Sequence, residues 1–403
     1  MRKIFWIAIF CCSVSKSTGQ STIHKNIFLR SNFGTDTMYD GVSFRVFGLT
    51  HALTASPKIP APIIYCNEGD SVVLNALSIS QTDHHTIHLH GLDVNTRNDG
   101  DPATSFYLSH LQDTTYSFRA RHAGSYLYHC HVGDVVHVQM GMYGMIVVRA
   151  AGGAKQIYTG GPTYSKDYNW LMSEVDRSWH DSIPVHDTKT DRINLPRYVP
   201  DYFLINGKSE WEIGVDSTIH VVASQNEPVL LRLANIGFYD NRVIFPKYLQ
   251  AKVYESDGRI MPKVIATDTL LISPGERFGV LILPNDQQQD SIRMEYLNMN
   301  TGLPENVQHI PVSVTGIYTN TQDVNLDKTI SVYPNPTSGV FNITYNSTDL
   351  LNVELFSSQG KVLLNSAMIM GNLTLDLSAF PVGLYYLRMT SDDAIFTKKI
   401  IKD

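Results

Sequence analysis

The stretch HCHVGDVVHVQMGM, residues 129–142, is more informative than any other part of this chain. It offers a thiol at Cys130, an imidazole at His137 and a thioether at Met142. A cysteine thiolate, histidine imidazoles and a weak axial thioether form the donor set of a blue-copper electron-transfer site. This set needs a second histidine from another strand, and HHTIHLHG at residues 84–91 can supply it.

Strand parity divides the histidines of both stretches into two groups. Side chains alternate between the faces of a strand, so His129 and His131 share one face while Cys130 points to the other. In the upstream stretch, His85 points away from the two histidines that follow it. We therefore expect one copper site formed by His85, Cys130, His137 and Met142, and a second copper centre formed by His88, His90, His129 and His131.

These residues carry a resemblance to the multicopper oxidases, a family that includes laccases, bilirubin oxidases and copper-resistance oxidases. His85-x-x-His88-x-His90-Gly91 resembles the first of the C-terminal copper motifs of that family. His129-Cys130-His131, followed by His137-x4-Met142, resembles the second. The flanking segments HGLDVNTRNDGDPATS, AGSYLY and MGMYGMIVV are also similar to those of the family.

The resemblance implies a role for each motif residue. His85, Cys130, His137 and Met142 would be type 1 copper ligands, and His88, His90, His129 and His131 would be half of a trinuclear, oxygen-reducing cluster of type 2 and type 3 copper. Electrons would enter near His137 and pass through Cys130 to His129 and His131. One departure is the gap of five residues between His131 and His137, where the usual motif has three. This longer loop is similar to that of two-domain laccases and copper nitrite reductases, whose type 1 site lies in the first domain.

Other donor residues have simpler interpretations. Nine of the fifteen histidines lie between His84 and His137, which makes a chance origin of the two motifs improbable. Cys66 is most simply a buried strand thiol. We expect Met140 and Met145 to be core residues, and His84, His110 and His122 to be either surface groups or groups that support the ligands.

Length, charge and cysteine content bound the class of protein. The chain has 403 residues and a net charge of −6 with no basic patch, so nucleic acid is not an expected partner. Residues 1–19 are typical of a secretory signal, and no segment is long enough to span a bilayer. The mature chain then keeps only Cys66 and Cys130, so no disulfides are expected.

The C-terminus indicates where the chain is sent. Residues 330–403 closely resemble the type A sorting domain of the type IX secretion system in Bacteroidetes, through YPNP, SSQGK, LSAFPVGLYYLRM and KKIIKD in that order. The alternative is a generic β-sandwich module that binds carbohydrate or spaces domains. The polar residues 321–329 before it are predicted to be a linker.

Between signal and linker the sequence predicts an all-β protein. Short strands separated by turn residues fill residues 20–150 and 201–320, with an irregular connector at 151–200. We expect two tandem cupredoxin-like Greek-key β-sandwich domains, plus a small C-terminal β-sandwich sorting domain. YFLING, RLANIG and LLISPGER resemble a second multicopper-oxidase domain.

The second domain lacks the histidines that a complete trinuclear cluster needs. Where the family places them, this chain has Phe245, Lys247 and Met299. Phenylalanine has no donor atom, and a protonated amine binds copper poorly. We therefore expect a scaffold without metal, in which the scattered histidines His180, His186, His220 and His309 are surface residues.

Three functions remain compatible with the sequence. The first is a secreted laccase-like oxidase that takes single electrons from a small molecule or a metal ion and passes them to dioxygen. The second is a nitrite-reductase-like enzyme with a single type 2 copper. The third is a cupredoxin that transfers electrons or holds copper without catalysis. Two-domain relatives form homotrimers with clusters at the interface, so a homotrimer is a further expectation.

Overall fold

The computed structural model describes residues 21–80, 84–182, 194–318, 330–345, 351–369, 371–391 and 394–403. Contacts divide the chain into two compact units, Met1–Tyr318 and Thr319–Asp403. The predicted signal peptide, the predicted linker and His186 lie outside the described residues. Among the helices of the described segments, none has the length and apolar character needed to cross a membrane.

The first part of the larger unit is a two-sheet sandwich. Its elements are β1 (Thr22–Thr37), β2 (Ser43–Thr50), β3 (Ile64–Asn67), β4 (Ser71–Ser78), β5 (His88–His90), α1 (Thr96–Asp99), β6 (Asp113–Arg119), β7 (Gly124–His129), α2 (Asp134–Gln139) and β8 (Tyr143–Arg149). The strand orders are β2-β1-β4-β6 in one sheet and β3-β8-β7-β5 in the other.

Alternating residues give this sandwich its core. In β4, the side chains of Val72, Leu74 and Ala76 are buried and alternate with less buried neighbours that face outward. They join a cluster of buried side chains that also contains Tyr116 and Cys130. Part of the predicted copper motifs therefore lies in the hydrophobic core of the domain.

The second part of the larger unit is also built mainly from β-strands, which form two sheets. Its elements are β9 (Lys166–Val175), α3 (Arg177–Ser182), β10 (Tyr202–Ile205), α4 (Trp211–Val215), β11 (Val221–Gln225), β12 (Val229–Asn235), β13 (Asp240–Ile244), β14 (Lys252–Ser256), β15 (Arg259–Ala266), β16 (Thr269–Ile272), β17 (Arg277–Ile282), β18 (Gln289–Leu297) and β19 (Pro304–Ile317), with 3-10 turns at Ala151–Gly153 and Lys247–Leu249. The sheet orders are β10-β9-β12-β17-β14-β15 and β11-β19-β18-β13-β16.

The structure differs from the expectation of an irregular connector at 151–200. Strand β9 lies inside that range and pairs with both β10 and β12. Its residues from Trp170 to Val175 are all buried. A strand that is buried on both faces shows no alternation of polar and apolar residues, which is why its sequence gave no strand pattern.

The two sandwiches of the larger unit share a hydrophobic interface. Met145 and Val147 of β8 belong to the same buried cluster as Leu171 of β9 and Ala234 of β12. Burying apolar surface between the sandwiches favours a fixed relative position. This matters for the site, because residues of the second sandwich are held against the histidine motifs of the first.

The smaller unit is a separate sandwich. Its strands are β20 (Ile330–Tyr333), β21 (Val340–Tyr345), β22 (Leu351–Ser357), β23 (Val362–Ile369), β24 (Asn372–Asp376), β25 (Gly383–Ser391) and β26 (Ala394–Lys402). They form sheets of order β20-β21-β24 and β23-β22-β25-β26. Phe341, Ile343, Val353 and Leu387 are fully buried in its core. The predicted C-terminal β-sandwich is therefore confirmed.

Candidate metal centres

The first group of predicted ligands comes together around one sulfur atom. The ligand atoms of His85, Cys130 and His137 all lie within 4.8 Å of one another. The Sγ atom of Cys130 lies 3.2 Å from Nδ1 of His137 and 3.6 Å from Nδ1 of His85. Both imidazoles thus turn Nδ1 toward the sulfur. A metal ion placed between these two nitrogens and the sulfur could bind all three atoms.

Hydrogen bonds fix the direction of the His85 ring. Its backbone pairs with Leu108 in an isolated bridge. Its Nε2 atom lies 2.7 Å from the hydroxyl oxygen of Ser80, in a fully buried position. Because Nε2 is hydrogen-bonded to Ser80, Nδ1 is the nitrogen of His85 that remains for a metal, and it faces Cys130. Sequence reasoning missed Ser80, because nothing in its neighbourhood marks it as a partner of a histidine.

The turn after Cys130 returns the other two ligands. His137 lies in α2, where its backbone N–H donates to the carbonyl of Gly133 at 2.9 Å. The N–H of Met142 donates to the carbonyl of His137, and the N–H of Cys130 donates to the carbonyl of Met142, both at 3.0 Å. Met142 is fully buried in the same cluster as Cys130. The backbone therefore ties all three residues into one compact loop.

Burial gives the first group the electrostatics of a metal site. Burial lowers the pKa of His137 to about 4, and it lowers the pKa of His85 well below its usual range, with a smaller contribution from His137. Both rings are therefore neutral at neutral pH, as metal-bound imidazoles must be. Two imidazoles, a thiol and a thioether form a donor set that suits copper.

The second group collects on the other side of Cys130. In the ladder between β5 and β7, His88 lies opposite His129. The ligand atoms of His88, His90 and His129 lie within 4.8 Å of one another. The ring of His131 lies 4.9 Å from that of His88, measured between centroids. The structure thus brings together all four histidines that parity assigned to this side.

In two of these rings, a hydrogen bond holds one nitrogen and leaves the other for a metal. The Nδ1 atom of His88 lies 2.7 Å from the backbone oxygen of Asp99, and that of His129 lies 2.9 Å from the backbone oxygen of Cys130. A neutral imidazole that donates through Nδ1 offers Nε2 to a metal. Burial lowers the pKa of His129 to about 3 and that of His90 to about 4. These neutral rings are also suited to copper.

The second sandwich contributes no comparable donors at the expected positions. Phe245 is buried in the core of its own domain. Lys247 is exposed at the start of a 3-10 turn, and Met299 is 58% exposed. Among the described residues, the groups of three or more histidine, cysteine or acidic donors suited to a metal both lie in the first sandwich.

One scattered histidine differs from its predicted surface position. His180 is 1% exposed, because α3 packs against β2. The centroids of the His180 and Phe44 rings lie 4.8 Å apart. The Nδ1 atom of His180 lies 2.6 Å from the carbonyl oxygen of Arg45. It is a structural contact between the two sandwiches. His220 is half-buried beside Ser313, and His309 is exposed.

The remaining donor residues lie where the sequence predicted them. Cys66 is buried in β3, and burial raises its thiol pKa to about 12. Met140 and Met145 are fully buried. His84, His110 and His122 are exposed. An inert, protonated thiol at Cys66 leaves Cys130 as the candidate thiolate donor among the described residues.

Comparisons with known proteins agree with this arrangement. Two family models described as multicopper oxidase match residues 42–152 and 174–320. A model of a secretion system C-terminal sorting domain matches residues 331–403.

Individual relatives cover parts of the chain. An L-ascorbate oxidase of Cucumis sativus is 27% identical over 249 residues, which cover 56% of this chain and 40% of that protein. A copper-containing nitrite reductase of Neisseria meningitidis is 31% identical over 125 residues, which cover 30% of each chain. The chain spans about half the length of the ascorbate oxidases that it matches.

A solved structure resembles the larger part of the chain. The blue copper oxidase from Nitrosomonas europaea matches with a TM-score of 0.58 and 25% identity, over 73% of this chain and 86% of that one. The predicted all-β, cupredoxin-like fold is therefore confirmed.

Proposed function

The chain belongs to the multicopper oxidase family, and from this premise we propose that it is a secreted, laccase-like copper oxidoreductase. The proposal depends above all on the position of Cys130. Its sulfur lies in the first histidine group, and the residue directly before it, His129, belongs to the second. A single residue thus connects the two candidate centres by a few covalent bonds.

Each residue of the two groups has a distinct task in this proposal. His85, Cys130, His137 and Met142 hold a type 1 copper, and His88, His90, His129 and His131 hold the second copper centre. Copper, the metal of this family, supplies one-electron redox chemistry at both places. The buried loop keeps water away from the first group, and the backbone on either side of Cys130 gives electrons a short path to the second.

The burial of His137 restricts how a donor delivers electrons. Its side chain is 1% exposed, and among the described residues its Nε2 atom has no hydrogen-bond partner. A donor therefore acts across a layer of protein, without a hydrogen bond to this ring. Small organic molecules and metal ions both satisfy this requirement, and dioxygen is the proposed final acceptor.

Export and assembly complete the proposal. The C-terminal sorting domain indicates type IX secretion to the cell surface or beyond. We propose that residues 1–19 are the signal peptide for the first step and that the source is a member of the Bacteroidetes. We also propose a homotrimer; on the edge strand β15 the side chains of Ile260, Val264 and Ile265 are exposed and available for contact between copies.

A second candidate function is favoured by a specific observation. Phe245, Lys247 and Met299 leave the second sandwich without ligands for a trinuclear cluster. A single copper in the second group, or electron transfer from the type 1 site alone, needs no such ligands. Both alternatives keep the same role for Cys130.

Paired variants separate these functions. Cys130→Ser should abolish the thiolate-to-copper absorption, whereas His88→Ala combined with His131→Ala should keep that absorption and lose oxygen consumption. His309→Ala is the control, because this histidine is exposed and lies in β19 of the second sandwich. Blue colour that survives in Cys130→Ser would contradict the ligand assignment, and oxygen uptake unchanged by the double variant would exclude the second centre.

A further inference from the structure

A cavity opens at the junction of the two sandwiches, and the candidate copper ligands are not among the residues that line it. Its volume is about 530 Å³, within the range of roughly 300–1,000 Å³ that is usual for small-molecule sites. The first sandwich contributes residues 59–63, Tyr65 and part of β8, and the second contributes part of β9 and the loops after β10 and α4. Both sandwiches thus enclose one space.

Two residues of the cavity lining carry buried polar atoms without a protein partner. The guanidinium of Arg149 lies over the Tyr65 ring, 4.9 Å from its centroid, and the Nε atom of Arg149 makes no hydrogen bond with the described residues. The Nδ2 atom of Asn169 donates to the Tyr65 hydroxyl at 3.3 Å, whereas its buried Oδ1 atom has no partner in the described chain. Buried donors and acceptors of native proteins are nearly always satisfied. An occupant that offers an acceptor to Arg149 and a donor to Asn169 would satisfy both.

The lining of the cavity has a net positive charge. Its acidic residue, Asp167, pairs through Oδ2 with Nε of the fully buried Arg232 at 3.3 Å. Among the described residues, Arg149 has no ion-pair partner. The charge of Asp167 is therefore compensated and that of Arg149 is not. A monoanion complements this charge, and a carboxylate matches the planar fork of a guanidinium.

Much of the remaining lining is apolar. Tyr65 presents an aromatic ring and is 41% exposed. The apolar side chains around it belong to Ile59, Pro60, Pro62, Ile63, Met145 and Leu171. Water would satisfy the polar atoms but would leave this surface wet. An apolar body would remove the surface from water and so stabilise a complex.

We propose that this cavity binds a small monocarboxylic acid that carries a hydroxyl group and an apolar ring. The carboxylate accepts hydrogen bonds from Arg149, and the hydroxyl group donates to Oδ1 of Asn169. The ring covers the apolar lining. This binding does not depend on the copper centres, because the candidate copper ligands take no part in it.

Titration calorimetry of the full chain with mandelate tests the proposal, because mandelate has a carboxylate, a hydroxyl group and a phenyl ring. Three analogues each lack one of these features: mandelamide lacks the charge, phenylacetate lacks the hydroxyl group and lactate lacks the ring. Each analogue should bind more weakly than mandelate. For mandelamide the loss should be about tenfold or more, because a hydrogen bond between two charged groups is lost.

Arg149→Gln should weaken mandelate binding by about tenfold or more and leave mandelamide binding nearly unchanged. The matched control is Arg119→Gln, which makes the same change of charge at an exposed residue of β6 outside the cavity. It should bind mandelate as the wild type does. A folded Arg149→Gln with wild-type affinity for mandelate would overturn the proposal.

The analogue series keeps the test decisive if Arg149→Gln fails to fold, because it uses the wild-type protein. Affinity for mandelate no higher than for any one of the three analogues would overturn the proposal. Absence of saturable mandelate binding up to millimolar concentration would also overturn it and leave the cavity to water.

Discussion

Replacing Glu174 with glutamine should remove a loss of stability that the wild-type protein shows as the pH rises. Glu174 lies in β9, is 2% exposed and accepts a hydrogen bond from the backbone N–H of Phe238 at 2.7 Å. Burial raises the pKa of its carboxyl group to about 8, against hydrogen bonds that lower it. The folded protein therefore keeps a proton on Glu174 at neutral pH.

The sign and size of the effect follow from linkage. The pKa of Glu174 is higher in the folded protein than in the unfolded chain, where it is 4.5. The contribution of Glu174 to the free energy of unfolding is complete below pH 4.5 and is lost as the pH rises through about 8. The full shift corresponds to roughly 5 kcal/mol, and local relaxation reduces what is measured. An amide cannot ionise, so Glu174→Gln should gain about 2–4 kcal/mol relative to wild type between pH 5 and pH 9.

Denaturant unfolding of the copper-free protein, followed by tryptophan fluorescence from pH 5 to pH 9, measures this change. The matched control is Glu295→Gln, a carboxylate of similar burial that pairs with Arg242 and Arg293. It should destabilise the protein at neutral pH, because two arginines lose their partner. If Glu174→Gln shifted the unfolding midpoint equally at every pH, the reasoning about a protonated buried carboxyl would be wrong.

Three further outcomes are expected. Removing copper with a chelator should lower the melting temperature, because a ligand that binds only the folded state stabilises it; an unchanged melting temperature would argue against a folded-state site. As the pH falls from 6.5 to 4, His137 should by itself cost the copper-free protein up to roughly 3 kcal/mol of stability, because the unfolded chain takes up a proton that this buried ring does not accept in the folded protein. Copper-free His137→Gln should show a smaller loss, and an equal loss would exclude His137 as its source. Ser80→Ala should weaken copper binding by about tenfold, since it frees the His85 ring, and unchanged affinity in a metal titration would contradict this role.

The sequence predicted the two groups of donor residues well because the relevant physics is local. Alternation along a strand places His129 and Cys130 on opposite sides, and this holds even though the strand itself ends at His129. The motif spacing then brings His137 back to the sulfur through one short helix. Ligand identity and spacing thus carry most of the geometry of the first group.

Other features depend on contacts between distant segments, which the sequence alone does not reveal. Ser80 reaches His85 only after the sheets have packed. His180 was expected on the surface, but α3 lies in the junction between the sandwiches. Strand β9 was missed because burial on both faces removes the pattern that reveals a strand. Tertiary packing decides each of these positions.

We propose that two copper centres are joined through Cys130, whose sulfur belongs to the first and whose neighbour His129 belongs to the second. Metal analysis of the mature chain, together with an EPR spectrum of the same sample, tests this directly. We expect more than one copper per chain, with a type 1 signal and a type 2 signal side by side. One copper per chain with a type 1 signal alone would contradict it and leave an electron-transfer or copper-holding cupredoxin.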